Sequence, residues 1–597
     1  MANRIPRVPV REQEPQLRAT NFEEVCYGYN HEEALLEASR CLHCKKPRCV
    51  EACPVGIRIP EFIAALHEER LNDAAQIIAL DSSLPSICGR VCPQETQCEG
   101  ACVLGVKGEP VAIGKLERYV GDWKLEHAGE QAPATAPRNG HKVAVIGSGP
   151  AGLACASDLA KAGYTVKIFE ALHKVGGVLV YGIPEFRLPK ERIVAREIEE
   201  VRRLGVEIET DVIVGRTVTI DSLMDDEGYE AVFIGSGAGL PRFMGIPGEN
   251  LNGVVSANEF LTRTNLMHAY DSTYDTPIYV GQRVVVVGGG NVAMDAVRTA
   301  RRLGAEATIV YRRSEKELPA RAEEVHHAKE EGILFRMLTN PVEVLGDERG
   351  WVRGVRCVEM ELGEPDASGR RKPVPVEGEF ETLKAETVIA AIGQSVEWGG
   401  LLEGSKVETG RGGTAIADST TFQTAQPDVF VGGDVMTGPK FVIDAIAAGK
   451  EGAISIHRFV QPGQSLTLGR RKKDYAEFDK AGARIYSYDN APRQKVKNPS
   501  AKEQKETFRD LRGTFTEKQV LKETERCLGC GATVVDQAAC VGCGVCTTMC
   551  KFDAIKLRRV TDAAGEKYEK LLIESGKNVA KRVKNIAVRK ISRPAGK

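Results

Sequence analysis

The sequence predicts a multidomain protein in which a helical, cysteine-rich domain precedes two Rossmann-like α/β domains and a small cysteine-rich module follows them. Its 597 residues favour about four domains. The 17 cysteines are unevenly placed, with nine before residue 103 and six between 527 and 550. Two strand–turn–helix units with glycine fingerprints occupy the cysteine-poor body between them. Such alternation of strands and helices predicts parallel sheets.

The composition excludes some classes of function. Lys plus Arg total 81 and Asp plus Glu total 82, so nothing indicates a nucleic-acid or anionic-membrane partner. The start MANRIPRVPVREQEPQ lacks the apolar segment of a secretory signal, and the longest apolar runs are too short to span a bilayer. We therefore expect a cytoplasmic protein without a membrane partner. Thiols stay reduced there, so a disulfide scaffold is not expected.

Residues 1–135 are predicted to form the helical domain around two cysteine runs. The first is C-x2-C-x4-C-x3-C-P at 41, 44, 49 and 53, and the second is C-x3-C-P-x4-C-x3-C at 88, 92, 98 and 102. Iron–sulfur clusters need thiolates that converge from several directions, often three from one loop and one from elsewhere. Zinc is the alternative, but zinc ribbons usually show two well-separated C-x2-C pairs. The crowding of cysteines in each run favours clusters.

Residues 136–250 and 391–465 are predicted to form a discontinuous FAD-binding domain. In GSGPAG, Gly147 makes the tight turn, Gly149 lets the backbone approach a pyrophosphate, and Gly152 allows close helix–strand packing. Glu170 closes the second strand, where a carboxylate accepts hydrogen bonds from ribose hydroxyls.

The segment VFVGGD at 429–434 carries a second flavin signal. It contributes Gly433 and Asp434, and the Asp434 carboxylate is placed to bond the ribityl chain of a flavin. A bare turn is the alternative interpretation of this segment.

Residues 251–390 are predicted to bind NADP(H). The fingerprint of this unit is Gly288, Gly290 and Ala293. Where the first unit has Glu170, this unit has Tyr311 followed by Arg312 and Arg313. No carboxylate stands there to repel a 2′-phosphate, and two guanidinium groups are present to bind it. The alternative is that the two arginines form a solvated patch.

The tail combines a polar segment with a further set of thiols. Residues 466–520 are predicted as a linker and 521–597 as a ferredoxin-like iron–sulfur module. The run C-x2-C-x2-C-x3-C at Cys540, Cys543, Cys546 and Cys550 is that of bacterial ferredoxins without the final proline. With Cys527 and Cys530 the tail has six thiols. They can hold one cluster with spare thiols, or two with a non-cysteine ligand, and zinc remains open at the incomplete site.

One internal repeat joins the two ends of the chain. EALLEASRCLHC (33–44) resembles QVLKETERCLGC (519–530). Both copies are predicted to be short helices that open with capping boxes, Asn30 with Glu33 and Thr516 with Gln519. Each helix then delivers a C-x-x-C pair at its end.

Several of these motifs also carry a family resemblance. The cysteine runs, GSGPAGL, YGIPEFRLPK, GGGNVAMD and YRR resemble the small subunit of NADPH-dependent glutamate synthase, the large flavin subunit of NADH-dependent ferredoxin:NADP oxidoreductase, and the N-terminal part of dihydropyrimidine dehydrogenase. The resemblance covers roughly residues 20–460. It implies two [4Fe–4S] clusters before a two-domain FAD/NADPH reductase with a glutathione-reductase-like arrangement. The added tail is similar to that of the flavin subunit of Stn-type electron-bifurcating transhydrogenases.

The resemblance also implies a ligand set for each N-terminal cluster. The first thiolate set is Cys41, Cys44, Cys49 and Cys102. The second set is Cys53, Cys92 and Cys98 with Glu117, and Cys88 is the rival for the place of Glu117. In the tail, Cys527, Cys530 and the four cysteines of the ferredoxin run are the expected ligands.

The function implied is that of a flavin and iron–sulfur subunit of a multisubunit NADP(H)-dependent oxidoreductase. A hydride would pass between NADP(H) and FAD, and [4Fe–4S] clusters would carry single electrons to a partner. Expected partners are a diaphorase-like subunit that binds FMN and NADH, and ferredoxin, in a transhydrogenase or ferredoxin:NADP type of complex. Whether the FAD bifurcates electrons stays open. The alternatives are the small subunit of NADPH-dependent glutamate synthase and a zinc-holding scaffold.

Overall fold

The computed structural model describes residues 5–127, 135–365, 371–461, 463–467, 469–470, 492–496, 499–527, 540–549, 555–557 and 570–591. The chain divides into two compact units, Met1–Thr467 and Leu468–Lys597. Within these described ranges, no helix is both long enough and apolar enough to cross a membrane.

The N-terminal part of the first unit is helical around its cysteine runs. The strands Arg11–Glu12 and Cys26–Gly28 pair antiparallel at its edge. The helices are Pro15–Arg18, His31–Ala38, Arg48–Glu51, Ile59–His67, Leu71–Asp81, Pro85–Val91 and Ile113–Glu126, with 3-10 turns at Gln94–Thr96 and Val103–Val106. The predicted capping box is confirmed: Asn30 Oδ1 accepts from Glu33 N, and Glu33 Oε2 accepts from Asn30 N.

A five-stranded parallel sheet follows, and its strands come from two separate stretches of chain. Across the sheet the strands are Val429–Val431, Ala231–Ile234, Lys142–Ile146, Thr165–Phe169 and Glu207–Glu209. The helices are Pro150–Lys161, Val178–Tyr181, Ala195–Arg203, Ile220–Asp225, Asp434–Thr437 and Val442–Val460, with a π-helical turn at Lys190–Val194. The central strands are buried along most of their length, as parallel strands covered by helices must be.

A second five-stranded parallel sheet lies between the two stretches of the first in sequence. Its strands in order are Leu334–Met337, Glu306–Tyr311, Arg283–Val287, Thr387–Ala390 and Val254–Ser256. The helices are Ala257–Leu261, Asn291–Arg302 and Ala322–Glu330, with short turns at Thr262–Leu266 and Glu315–Glu317. A two-stranded ribbon, Leu240–Pro241 with Gln394–Ser395, lies where the chain enters and leaves this domain.

The sequence analysis did not predict a three-stranded antiparallel sheet inserted in this domain. Its strands are Thr339–Gly346, Val352–Pro365 and Arg371–Lys384. One face of the middle strand is buried through Val355, Cys357 and Met360, while the intervening Arg356 and Glu359 are exposed. Gly354 and Val358 are buried as well, so the pattern departs from simple alternation, and the pairing with the third strand shifts register between Val358 and Met360.

The second unit is helical in its described parts. The helices are Ala501–Glu506, Glu517–Glu525, Val545–Met549 and Leu571–Ile591. The region predicted as a linker therefore contains one helix and the start of another. The second predicted capping box is confirmed, because Thr516 Oγ1 accepts from Gln519 N and Gln519 Oε1 accepts from Thr516 N.

A buried ionic network joins the N-terminal segment to the second parallel sheet. Glu331 accepts hydrogen bonds from Arg298, Arg302 and, at 3.2 Å, Arg18, and its side chain is fully buried. The guanidinium group of Arg302 also stacks on the ring of Phe186, 3.8 Å from its centroid. Burial alone would raise the pKa of Glu331, but the arginines outweigh burial and lower that pKa to about 2.

We predict that Glu331→Gln lowers the free energy of unfolding by about 3 kcal/mol at neutral pH, because it leaves buried guanidinium groups without their countercharge. Glu330→Gln is the matched control, since the Glu330 side chain is 34% exposed, and it should cost less than about 1 kcal/mol. Denaturant titration followed by circular dichroism measures both values. Equal losses of stability in the two variants would contradict the conclusion that the buried Glu331 carboxylate stabilises the fold.

The same ion pairs predict a pH dependence. The folded-state pKa of Glu331 is depressed from 4.5 to about 2, so its stabilisation is present above pH 4.5 and is lost as the pH falls towards 2. The stability difference between the native protein and Glu331→Gln should therefore shrink across that window. A constant difference would show that the carboxylate charge is not responsible.

Candidate flavin, nucleotide and iron–sulfur sites

A cavity of about 940 Å³ opens at the carboxyl ends of the strands of the first parallel sheet. The residues that directly follow four of these strands, Gly147, Glu170, Gly235 and Gly432, all line it, and so does Asp434. Ligands of open α/β sheets bind in this place, in the crevice outside the carboxyl ends of the strands.

The predicted glycines have steric reasons for their positions. Gly147 has φ +94°, and a Cβ atom there would lie 2.8 Å from Gly235 O. A Cβ atom on Gly152 would lie 1.9 Å from Gly147 O, so only glycine lets the helix pack so closely. Gly149 is the N-cap of the helix Pro150–Lys161 and lines the cavity, with no atom nearer than 3.9 Å to its Cβ position. This helix N-terminus suits a pyrophosphate.

Glu170 lies at the end of the second strand with its carboxylate held in place. Its Oε2 accepts from Ser148 N at 2.9 Å, and its Oε1 accepts from Leu172 N at 2.8 Å. The side chain is buried and lines the cavity. A carboxylate fixed in this way can accept further hydrogen bonds from ribose hydroxyls.

The second flavin signal also reaches the cavity. Gly433, with φ +73°, precedes the helix Asp434–Thr437, and Asp434 Oδ1 accepts from Lys440 N at 3.1 Å. Burial raises the pKa of Asp434 to about 6. The sequence analysis missed Tyr181 as a site residue, although it lies in the quoted YGIPEFRLPK segment. Burial, together with the charges of Asp434 and Glu170, raises the pKa of Tyr181 to about 12, so its phenol is protonated and able to donate.

The second fingerprint repeats the geometry of the first. Gly288 has φ +145°, and a Cβ atom there would lie 2.3 Å from Ala391 O. Gly290 is the N-cap of the helix Asn291–Arg302, and its Cβ position is open. Ala293 is buried in the core of this domain beside Val286. This helix N-terminus is therefore accessible to a phosphate group.

The two arginines of the YRR motif lie in different environments. Arg312 is exposed directly after the strand Glu306–Tyr311. Arg313 is buried, and its Nε donates to Arg371 O at 2.8 Å, which ties the parallel sheet to the antiparallel one. Of the predicted pair, the structure therefore leaves Arg312 accessible to a 2′-phosphate and places Arg313 in a structural hydrogen bond.

The first thiolate set lies around one small apolar pocket. Cys41, Cys44, Cys49 and Cys102 all line it, and the remaining wall includes the side chains of Ile59, Ile63, Val111 and Ile113. Burial and the neighbouring Cys102 raise the pKa of Cys49 to about 11. Four sulfur atoms that converge in an apolar enclosure fit a [4Fe–4S] cluster, whose iron atoms would hold the thiolates deprotonated.

The second set is buried more deeply. Burial raises the pKa of Glu117 to about 8, and within the described part of the chain no donor reaches its Oε1 atom. The charge of Glu117 is among the causes that raise the pKa of Cys53, Cys92 and Cys98, so the carboxylate lies near all three thiols. A buried carboxylate oxygen without a donor costs free energy. Iron is a partner that would satisfy it.

Cys88, the rival ligand, lies beside the same set. Its sulfur accepts from Ser82 Oγ at 3.9 Å, and its thiol also pairs with Cys92. The sequence could not separate Cys88 from Glu117. The structure gives the Cys88 thiol hydrogen-bond partners and leaves Glu117 Oε1 without one. This difference favours Glu117 over Cys88 as the fourth ligand of the second set.

The tail cysteines are exposed where the structure describes them, at Cys527, Cys540, Cys543 and Cys546. Cys530 and Cys550 lie outside the described residues. Gly542 has φ +67° and Gly544 has φ +79°, and the sulfur of Cys540 accepts from Gly542 N at 3.4 Å. The turns at these glycines direct the ferredoxin run into the helix Val545–Met549.

Comparison with known families agrees with this geometry. Residues 18–129 match the model of dihydropyrimidine dehydrogenase domain II, 4Fe-4S cluster. Residues 141–449 match that of the pyridine nucleotide-disulphide oxidoreductases, and residues 533–556 match a 4Fe-4S binding domain. These matches confirm the predicted fold class, the FAD and NADP(H) cofactors, and iron–sulfur domains at both ends of the chain.

Three similar proteins are redox subunits. The chain is 39% identical to the beta subunit of NADP(+)-dependent formate dehydrogenase from Moorella thermoacetica, across 81% of this chain and 70% of that protein. It is 38% identical to the glutamate synthase [NADPH] small chain of Escherichia coli, across 76% of this chain and 96% of that protein. It is 34% identical to the beta subunit of NADPH-Fe(3+) oxidoreductase from Geobacter sulfurreducens, across 81% of this chain and 75% of that protein.

The relatives and the family matches together confirm the resemblance on which the sequence analysis relied. They show an NADP-dependent flavin and iron–sulfur oxidoreductase subunit. The chain belongs to the pyridine nucleotide-disulphide oxidoreductase family, with iron–sulfur domains added before and after the reductase.

Proposed function

We propose that this chain carries electrons between NADP(H) and a partner redox subunit in a complex of the transhydrogenase or ferredoxin:NADP type. The observation that supports this most is the order of the candidate sites, with the second cluster set between the flavin domain and the first set. When bound, FAD exchanges a hydride with NADP(H), and the clusters carry single electrons.

The packing of the two sets supports that order. Cys92 belongs to the same hydrophobic core as Leu179 and Ile183 of the flavin domain. Cys53 and Cys98 pack in the neighbouring core together with Cys41, Cys49 and Cys102 of the first set, and Val55 contacts both cores. The second set is therefore adjacent to the flavin domain, and the first set lies farther out.

The residues around the flavin cavity bind and orient rather than react. The Glu170 carboxylate accepts from ribose hydroxyls, Asp434 from the ribityl chain, and the protonated Tyr181 donates. The open N-terminus at Gly290 and the exposed Arg312 bind the phosphates of NADP(H). Hydride transfer to a flavin ring needs little proton chemistry from a side chain, so we assign no general acid or base.

The surface around the first set indicates the chemistry of the partner. Leu42, Val103 and Val106 are exposed apolar residues, and Leu42 and Val103 line the pocket of the first set. Segments 42–51 and 103–109 expose four basic residues, Lys45, Lys46, Arg48 and Lys107, and two acidic ones, Glu51 and Glu109, so this surface is basic on balance. An apolar centre within a basic rim fits an acidic one-electron carrier. Ferredoxin and a diaphorase-like subunit that binds FMN and NADH are the proposed partners.

Glutamate synthase is the second candidate, because the chain matches 96% of the length of a small chain of that enzyme. The two candidates differ in the electron acceptor. Mixing the purified chain with a glutamate synthase large subunit and measuring glutamine-dependent NADPH oxidation tests the alternative. Oxidation coupled to a ferredoxin or a diaphorase-like subunit, with none coupled to glutamine, supports the first proposal.

We predict that Cys49→Ala separates the two halves of the reaction. Reduction of the flavin by NADPH should persist, because the flavin cavity is intact, while reduction of the partner should fall to background. Cys26→Ala is the control, since Cys26 belongs to neither set. Stopped-flow absorbance follows flavin and partner separately, and unchanged partner reduction in Cys49→Ala would refute the proposed electron path.

We predict that Glu117→Ala removes the second cluster, whereas Glu117→Gln retains it because an amide oxygen can still bind iron. Cys88→Ala should also retain it. Iron and sulfide analysis with electron paramagnetic resonance (EPR) spectroscopy measures the outcome. Loss of the cluster in Cys88→Ala with retention in Glu117→Ala would reverse the assignment.

We predict that the double substitution Lys45→Glu and Lys46→Glu slows reduction of an acidic partner and weakens its salt dependence, because steering charges are removed. NADPH reduction of the flavin should not change. The double substitution Lys384→Glu and Lys406→Glu, at exposed lysines outside the basic rim, is the charge-matched control. Equal slowing by the control would locate the docking surface elsewhere.

A further inference from the structure

We propose that residues 491–530 are a second copy of residues 5–44 in sequence, and that the copy positions Cys527 as an iron ligand as the original positions Cys41. Cys530, the counterpart of Cys44 in the alignment, lies outside the described residues. The segment predicted as a linker is then part of an iron–sulfur site. This inference rests on the iron–sulfur chemistry of the proposed function and extends it to the tail.

The two segments align without a gap at a constant offset of 486 residues, well beyond the twelve-residue repeat around the cysteines. Ten of the forty positions are identical. The identical pairs are Pro6 and Pro492, Arg7 and Arg493, Val10 and Val496, Phe22 and Phe508, Leu35 and Leu521, Glu37 and Glu523, Arg40 and Arg526, Cys41 and Cys527, Leu42 and Leu528, and Cys44 and Cys530.

The helices begin at corresponding positions. Pro15–Arg18 corresponds in its start to Ala501–Glu506, and His31–Ala38 corresponds in its start to Glu517–Glu525. The longer helix of each copy opens with a complete capping box, at Asn30 in one and at Thr516 in the other. Each of these helices ends shortly before the cysteine that starts the C-x-x-C pair.

The hydrogen bonds agree atom for atom. In the first copy, Glu37 Oε2 accepts from Val8 N at 2.8 Å, and Glu37 Oε1 accepts from Arg40 Nη1. In the second copy, Glu523 Oε2 accepts from Gln494 N at 2.7 Å, and Glu523 Oε1 accepts from Arg526 Nη1. The backbone donor lies 29 residues upstream of the glutamate in both copies.

These hydrogen bonds fix the end of the helix in each copy. The glutamate holds an upstream segment, within residues 5–10 or 492–496, against the helix, and the arginine three residues later holds the glutamate in place. The turn that carries the first cysteine follows directly. Glu37 and Glu523 are therefore positioning residues for the thiolates of Cys41 and Cys527, because each fixes the end of the helix that leads into that cysteine. The family match in the tail covers residues 533–556 and does not include this pair.

The first test uses thiol protection in the full-length protein. In anaerobically purified, cluster-loaded protein, Cys527 should resist iodoacetamide although its side chain is exposed in the polypeptide, and it should become modified once the iron is chelated. Mass spectrometry of the tryptic peptides reads this out. Equal modification of Cys527 before and after chelation would overturn the proposal.

The second test compares the two copies directly. Cys527→Ala should lower the iron and sulfide content and remove one tail EPR signal, while the signals of the N-terminal clusters and the NADPH reduction of the flavin persist. Iron content equal to that of the unaltered protein would also overturn the proposal. This result would leave the proposed function intact. Absence of sulfide from the unaltered protein would instead contradict the proposed function itself, so the two failures are distinguishable.

The positioning role has its own matched variants. Glu37→Ala should shift the EPR signal or reduction potential of the first N-terminal cluster, and Glu523→Ala should do the same for the tail site. Glu523→Gln should shift the tail signal less than Glu523→Ala does, because an amide oxygen still accepts from Gln494 N. Glu525→Gln, at an exposed neighbouring position, is the control. An unshifted tail signal in Glu523→Ala would refute the positioning role.

Discussion

The structure depends on burying thiols and a carboxylate in places that water hardly reaches. Cys92, Cys98 and Glu117 are buried and Cys53 is partly buried. Burial raises the pKa of Cys53, Cys98 and Glu117, and the hydrogen bond with Cys88 together with burial raises that of Cys92. Without iron, such groups would be held neutral. With iron, the same exclusion of water strengthens each metal–ligand interaction. The cost of burying these groups therefore favours a protein that is complete only when its clusters are bound.

The ionic contacts between domains serve the same requirement. Lys115, on the helix that also carries Glu117, donates to Glu323 at 2.8 Å, and Arg321 Nη2 donates to Gln94 Oε1 at 2.9 Å. These contacts join the cysteine-rich domain to the second parallel sheet. Their geometry sets where the cysteine-rich domain lies relative to the second parallel sheet. Electron transfer over a fixed path needs such fixed positions, and a loosely docked domain would not supply them.

Local patterns predicted much of the site. Both fingerprints, the two carboxylates of the flavin site and both capping boxes follow from spacing, because each depends on residues within one turn or one strand–helix unit. The sequence could not show that Arg313 is buried under the antiparallel sheet while Arg312 is exposed, because the strand that accepts from Arg313 lies 58 residues away. It could not separate Glu117 from Cys88 either, since that choice depends on which buried atom lacks a partner. The polar composition of residues 466–520 indicated a connector and did not indicate the helix Ala501–Glu506.

The central claim is that thiolates at both ends of the chain hold iron–sulfur clusters that exchange electrons with one flavin. Metal and acid-labile sulfide analysis of full-length protein, isolated without exposure to oxygen, tests it most directly. The account predicts iron and sulfide in equal amounts, as in cubane clusters, together with one FAD per chain. Zinc without sulfide would contradict it.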